Sequence, residues 1–138
     1  MQIEEKIRIQ ATPEQIFPFY ENVSTWSSWD PGVQSSSIDG EFITGAKGRL
    51  QPVKGPEAKI EFTEITKNQS FTTTSKLPLC TMSFVHELVP SGEATEVTHK
   101  VVFSGLLSPL FGRLIGTGIR KGLPATMQGL RNAVESKS

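Results

Sequence analysis

Leu107-Ser108-Pro109-Leu110-Phe111-Gly112-Arg113-Leu114-Ile115-Gly116 opens a stretch that continues to about Glu135 and decides how the rest of the chain is read. Leu107, Leu110, Phe111, Leu114, Ile115, Ile119, Leu123, Met127, Leu130 and Val134 recur at steps of three and four. That spacing lines them up along one stripe of an α-helix, and such a stripe must bury against something. Ser108 and Pro109 suit its first turn, one as a cap and the other as a residue with no N–H to leave unpaired. Arg113, Arg120, Lys121, Arg131 and Lys137 occupy the opposite face. Gly112, Gly116, Gly118, Gly122 and Gly129 weaken the helix by roughly 1 kcal/mol each relative to alanine. Pro124 removes a donor, so a kink or split is expected near Arg120. A helix with so many weak points is held by what it lies on, either as a core helix or as one wall of a cavity.

Working outward, Gly105 closes a long run of strands and turns. The expected strands are Val33–Ile38, Gly48–Val53, Ala58–Thr66, Ser70–Leu77, Leu79–Val89 and Thr95–Ser104. Asp39-Gly40, Gly45, Lys54-Gly55-Pro56, Lys67-Asn68, Pro78 and Pro90-Ser91-Gly92-Glu93 punctuate them. Connections this short leave no room for crossover helices, so the strands pair antiparallel. Before them, Ile3, Ile7 and Ile9 alternate with Glu4, Lys6, Arg8 and Gln10 as a half-buried strand. Ala11-Thr12-Pro13-Glu14 then starts a helix with the apolar face Ile16, Phe17, Phe19 and Tyr20. Asn22-Val23-Ser24-Thr25 starts a second, ending near Trp29 and the turn Asp30-Pro31-Gly32. The order is one strand, two short helices, six strands and one long helix, which makes the fold class α+β: a curved antiparallel sheet closed by its terminal helix.

Composition narrows the function. The 138 residues make one domain, 1–138, with 14 basic and 14 acidic side chains and no net charge, so no basic field for nucleic acid is expected. The charged N-terminus is not expected to act as a signal peptide, no apolar run reaches the ~20 residues of a membrane span, and the single Cys80 builds no disulfide framework. A reduced, cytoplasmic setting is expected.

The ordered set Ala11-Thr12-Pro13, Trp26, Trp29-Asp30-Pro31, Asp39-Gly40-Glu41-Phe42, Gly45, Gly48, Phe84-Val85-His86-Glu87-Leu88, Thr98-His99, Gly105 and Phe111-Gly112-Arg113-Leu114-Ile115-Gly116 resembles the START/Bet v 1-like (SRPBCC) superfamily in its polyketide cyclase/dehydrase-like branch. The resemblance covers nearly the whole chain. It implies a helix-grip fold, in which a seven-stranded antiparallel sheet wraps the long C-terminal helix around an internal apolar cavity. It further implies a hydrophobic ligand, such as a lipid, sterol or polyketide, and in some members cyclisation or dehydration. Fold does not fix which.

Candidate chemistry rests first on two histidines. Alternation puts His86 on one face with Cys80, Met82, Phe84 and Leu88, and His99 with Val97, Val101 and Phe103. The Pro90–Ala94 turn makes the two strands neighbours, so the rings sit opposite or diagonal to each other. Imidazoles in an apolar space lose proton affinity and serve as acid and base near neutrality, or else simply fill the core. The pattern places no carboxylate on that face, so no metal site is expected, and no cofactor is implied. Trp29 and Asp30 are placed by the resemblance near a cavity mouth; the alternative is a core ring and a turn cap. Arg49 is expected to point outward into solvent.

Three readings follow. The first is binding of a hydrophobic small molecule (lipid, polyketide or aromatic compound) by Trp29, Asp30, Phe62, Met82, Phe84, Val97, Val101, Phe103, Leu114, Ile119, Leu123 and Met127. The second is a cyclase or dehydratase with His86 and His99 as the catalytic pair. The third is an interaction module with a collapsed cavity, its apolar helix and Gly112 and Gly116 forming a homodimer contact.

Overall fold

The computed structural model describes residues 2–137. Strand β1 (Gln2–Ile9) leads into helix α1 (Pro13–Glu21) and a 3-10 helix (Val23–Ser28). Six strands follow: β2 (Val33–Ile38), β3 (Lys47–Pro52), β4 (Ala58–Thr66), β5 (Ser70–Leu77), β6 (Cys80–Ser91) and β7 (Ala94–Ser104). They form one antiparallel sheet in the order β1-β7-β6-β5-β4-β3-β2, so the first strand lies beside the last. Short turns account for the meander from β2 to β7; the return of β1 to β7 is set by tertiary packing.

Helix α1 starts where Thr12 and Gln15 satisfy each other's backbone N–H groups, at 3.2 and 2.9 Å, with Pro13 in the first turn. Its buried residues Ile16, Phe17 and Tyr20 lie in the core with the sheet's inner-face residues. Along β4 the inner face passes from Phe62, opposite Thr73, to Ile65, opposite Phe71. The extra residue at Thr63–Glu64 is a bulge that keeps both apolar side chains inward.

The C-terminal stretch is two helices, α2 (Ser108–Leu114) and α3 (Gly116–Glu135), meeting at Ile115. The expected break near Arg120 is absent, and α3 runs through Pro124 without interruption. Arg120 and Pro124 are both exposed, so water can satisfy the carbonyl that proline leaves without a donor. The break falls instead beside Gly116 and Gly118, where helical backbone is least favourable. Helix α3 buries Leu123, Met127, Leu130 and Val134 against β1 and α1. Its far end is tied down by Glu135, whose carboxylate accepts the backbone N–H of Gln10 at 2.9 Å. Gly129 lies so close to the Trp29 carbonyl that a Cβ there would overlap it. Among the described residues no helix is long and apolar enough to cross a membrane.

Candidate functional site

The inner face of the sheet carries two apolar clusters. One contains Ile9, Phe17, Tyr20, Trp26, Trp29, Phe62, Phe71, Leu88, Val97 and Met127, among others. The other contains Ile3, Cys80, Met82, Val101, Phe103 and Leu123, with Phe84, Phe111, Ile115 and Ile119 partly buried against it. Between them a polar row crosses three strands. Glu5 on β1 pairs with His99 on β7, which pairs with His86 on β6. Each strand changes cluster at this row: Ile7 to Ile3 on β1, Val97 to Val101 on β7, Leu88 to Phe84 on β6. On β5 the buried Thr73 and Ser75 prolong the polar stripe, opposite Phe84 and Met82.

The histidines are direct cross-strand partners, with ring centroids 4.5 Å apart and nearly perpendicular planes. His86 stacks flat on Phe71 at 3.9 Å. Its Nδ1 lies 3.1 Å from the Phe71 carbonyl oxygen. A carbonyl only accepts, so in the neutral ring Nδ1 carries the hydrogen and Nε2 keeps its lone pair. Burial lowers the His86 pKa to about 4, against the opposing effect of backbone hydrogen bonds at Phe71 and Phe84. Burial, and then the neighbouring His86, hold His99 well below the ordinary imidazole range. Both rings are therefore neutral at pH 7, and His86 presents an acceptor at Nε2. His99 is only 4 % exposed, whereas His86 and Phe84 stay partly exposed although they sit on the inner face of the sheet.

Tyr20 completes the group from above. The α1 helix lowers its ring onto Phe71, His86 and His99, with centroids at 4.8, 5.6 and 5.8 Å. Its hydroxyl shares a 2.8 Å hydrogen bond with His99 Nε2. Complete burial raises the phenol's pKa far above its usual value, so Tyr20 stays protonated.

The other expected site residues divide between the clusters. Phe62, Val97, Met127 and Trp29 lie in the first; Met82, Val101, Phe103 and Leu123 lie in the second, with Phe84 and Ile119 on its partly open margin. Leu114 does not belong to either wall: it is 69 % exposed, because the residues of this helix that pack inward are Leu107, Phe111 and Ile115, and Leu114 lies on the neighbouring row. Trp29 is buried in the core, and its Nε1 has no hydrogen-bond partner among the described residues. Asp30 ties the turn to α3, its Oδ1 accepting from the Gly32 N–H at 2.9 Å and the Thr126 hydroxyl at 2.8 Å. Burial raises its pKa, partly offset by those two hydrogen bonds. Arg49 is exposed and pairs with Glu57 at 3.0 Å.

Two residues of the site were passed over in the sequence. Tyr20 reads there as an apolar face residue, with nothing local to show that its hydroxyl meets a residue 79 positions away. Glu5 was legible: it shares the alternation of Ile3, Ile7 and Ile9, which sets a carboxylate on the histidine face where none was expected. Even so, no cluster of three His, Cys, Asp or Glu side chains able to hold a metal occurs among the described residues.

Solved structures show the same architecture at low identity. A Mesorhizobium loti protein superposes with a TM-score of 0.80 at 17% identity, covering 100% of this chain and 99% of the other. Norcoclaurine synthase from Thalictrum flavum, in complex with dopamine and hydroxybenzaldehyde, gives 0.76 at 16% identity over 100% of this chain and 88% of the enzyme. A Thermus thermophilus protein gives 0.75 at 15% identity, with 100% and 99% covered. These likenesses establish a Bet v 1-like helix-grip fold. No curated protein sequence matches the chain. The family model described as polyketide cyclase / dehydrase and lipid transport matches residues 1–135, and the chain belongs to that family.

Proposed function

We propose that the protein binds a hydrophobic small molecule carrying at least one polar group, held between the inner face of the sheet and helices α2 and α3. The observation that carries this reading is the polar row Glu5–His99–His86 set between two apolar clusters, with Phe84 and His86 still partly exposed on the inner face. Apolar walls supply affinity through buried area, at about 25 cal/mol per Å2. The His86 Nε2 lone pair and the Thr73 and Ser75 hydroxyls supply orientation, a division common to small-molecule sites. Met82, Phe84, Val101, Phe103, Ile119 and Leu123 are the wall residues nearest this stripe in strand register and cluster membership. Lipids, polyketides and aromatic compounds all fit the description, and the family's range includes the first two.

A second reading is favoured by the state of His86. A neutral imidazole whose Nε2 makes no hydrogen bond among the described residues is placed to accept a proton from a substrate hydroxyl or activated C–H, as a cyclase or dehydratase requires, once a bound substrate raises the proton affinity that burial has lowered. Here His86 and His99 are the catalytic pair and Tyr20 positions His99.

The test is mass spectrometry of protein purified without detergent, in native and extracted form, followed by thermal-shift titration with lipids, polyketides and phenols. A stoichiometric apolar passenger, or a saturable rise in melting temperature that is weakened by His86→Gln, is expected. No passenger and no shift from the whole panel would overturn the binding reading. Turnover of a bound compound that is lost in His86→Gln would move the assignment to the enzyme.

A further inference from the structure

Helix α2 and the residues flanking it carry two adjacent apolar rows. Leu107, Phe111 and Ile115 pack inward on the Met82–Phe103 cluster. Leu106, Leu110 and Leu114, four residues apart, face out and are 80, 49 and 69 % exposed. The inward row already occupies the helix's contact with the sheet, so the outer row has no partner within the chain. Leu79 joins it at 65 % exposure from the β5–β6 turn. That turn is fixed beside α2 by the Leu107 N–H, which donates to the Leu79 carbonyl at 2.9 Å. Leu79 is also held at φ 52°, a left-handed conformation that L-residues adopt at a cost. A shallow recess of about 360 Å3, lined by Leu77, Leu79, Cys80, Gly105 and Leu106 with Lys76 on its rim, separates the two.

Charge is segregated around this patch. The chain has equal numbers of acidic and basic side chains, yet no carboxylate occurs between Glu96 and Glu135. Arg113 lies within the outer row of α2, and Arg120 and Lys121 follow on the next turns of α3, all three exposed. None of them is in an ion pair among the described residues.

We infer that α2, the β5–β6 turn and the first turns of α3 form a docking surface for an anionic phospholipid bilayer. Exposed leucines rimmed by unpaired cations match the acyl boundary and the anionic headgroups of such a surface. A protein partner with an acidic face is the alternative, and it would leave both vesicle types unbound. The inference uses surface residues alone and is tested without any cavity ligand, so it stands or falls apart from the reading of the interior.

The experiment is co-sedimentation with vesicles of pure phosphatidylcholine and of phosphatidylcholine mixed with phosphatidylglycerol. Binding to the anionic vesicles is expected to exceed binding to the neutral ones at least about tenfold and to fall in high salt, since each basic side chain near such a surface contributes about fivefold. Arg113→Glu with Lys121→Glu is expected to reduce it more than about tenfold. Leu106→Ser with Leu110→Ser, at exposed positions that leave the fold intact, is expected to weaken it with the melting temperature unchanged. Equal partition to both vesicle types, or binding indifferent to either double variant, would overturn the inference. So would a concentration-dependent dimer that Leu110→Ser dissolves, because the patch would then belong to a second copy of the chain.

Discussion

The Tyr20 hydroxyl and His99 Nε2 lie 2.8 Å apart in the buried core, joining α1 to the sheet across 79 residues of chain. The bond couples the position of α1 to a ring that is itself paired with His86. It also satisfies a nitrogen of a buried ring.

Replacing Tyr20 with Phe keeps the ring contacts and removes this one bond. The expected loss is about 1–3 kcal/mol, since the buried His99 nitrogen is left unpaired. Denaturant unfolding checks it. A change below a few tenths would show that the bond adds nothing to the folded state.

The histidines predict an acid-sensitive fold. Both have folded-state pKa values below the usual 6.5, that of His86 at about 4. As the pH falls through 6.5 the unfolded chain takes up protons that the folded chain refuses. Stability is therefore complete above about 6.5 and declines toward pH 4, by up to about 1.4 kcal/mol per pH unit for each histidine. Unfolding free energies at pH 7, 6 and 5 should show this slope, and the His86→Gln, His99→Gln double variant should flatten it. A wild-type stability that is level from pH 7 to 5 would contradict the lowered proton affinity of the two rings.

Two glycines of α3 should answer alanine in opposite ways. A methyl group at Gly122 meets nothing within 4 Å, so Gly122→Ala should stabilise the helix, by up to about 1 kcal/mol. At Gly129 the same methyl group collides with the Trp29 carbonyl, and Gly129→Ala should cost about 1–3 kcal/mol as the turn and helix are pushed apart. Melting temperatures of the two variants, measured side by side, check the contrast. A stabilised Gly129→Ala would mean that α3 does not rest on the Trp29–Asp30 turn.

Much of the fold was legible because strand alternation and turn chemistry are local. The residues Ala58–Thr66 and Ser70–Leu77 show their strands directly, and the Pro90–Ala94 turn brings His86 and His99 onto neighbouring strands with the same facing. The break in the C-terminal stretch was not placed, because Pro124 looks disruptive until its exposure is known. Five scattered glycines do not say which of them the helix yields at.

The sequence by itself determined the α+β order, the antiparallel meander and the inward facing of both histidines, all consequences of side-chain periodicity and short connections. Only the tertiary structure decided that Tyr20 meets His99, that Glu5 extends the histidine row and that Leu114 faces outward. Each of those depends on how one element is laid over another. That placement is set by the packing of the whole core, which no local pattern encodes.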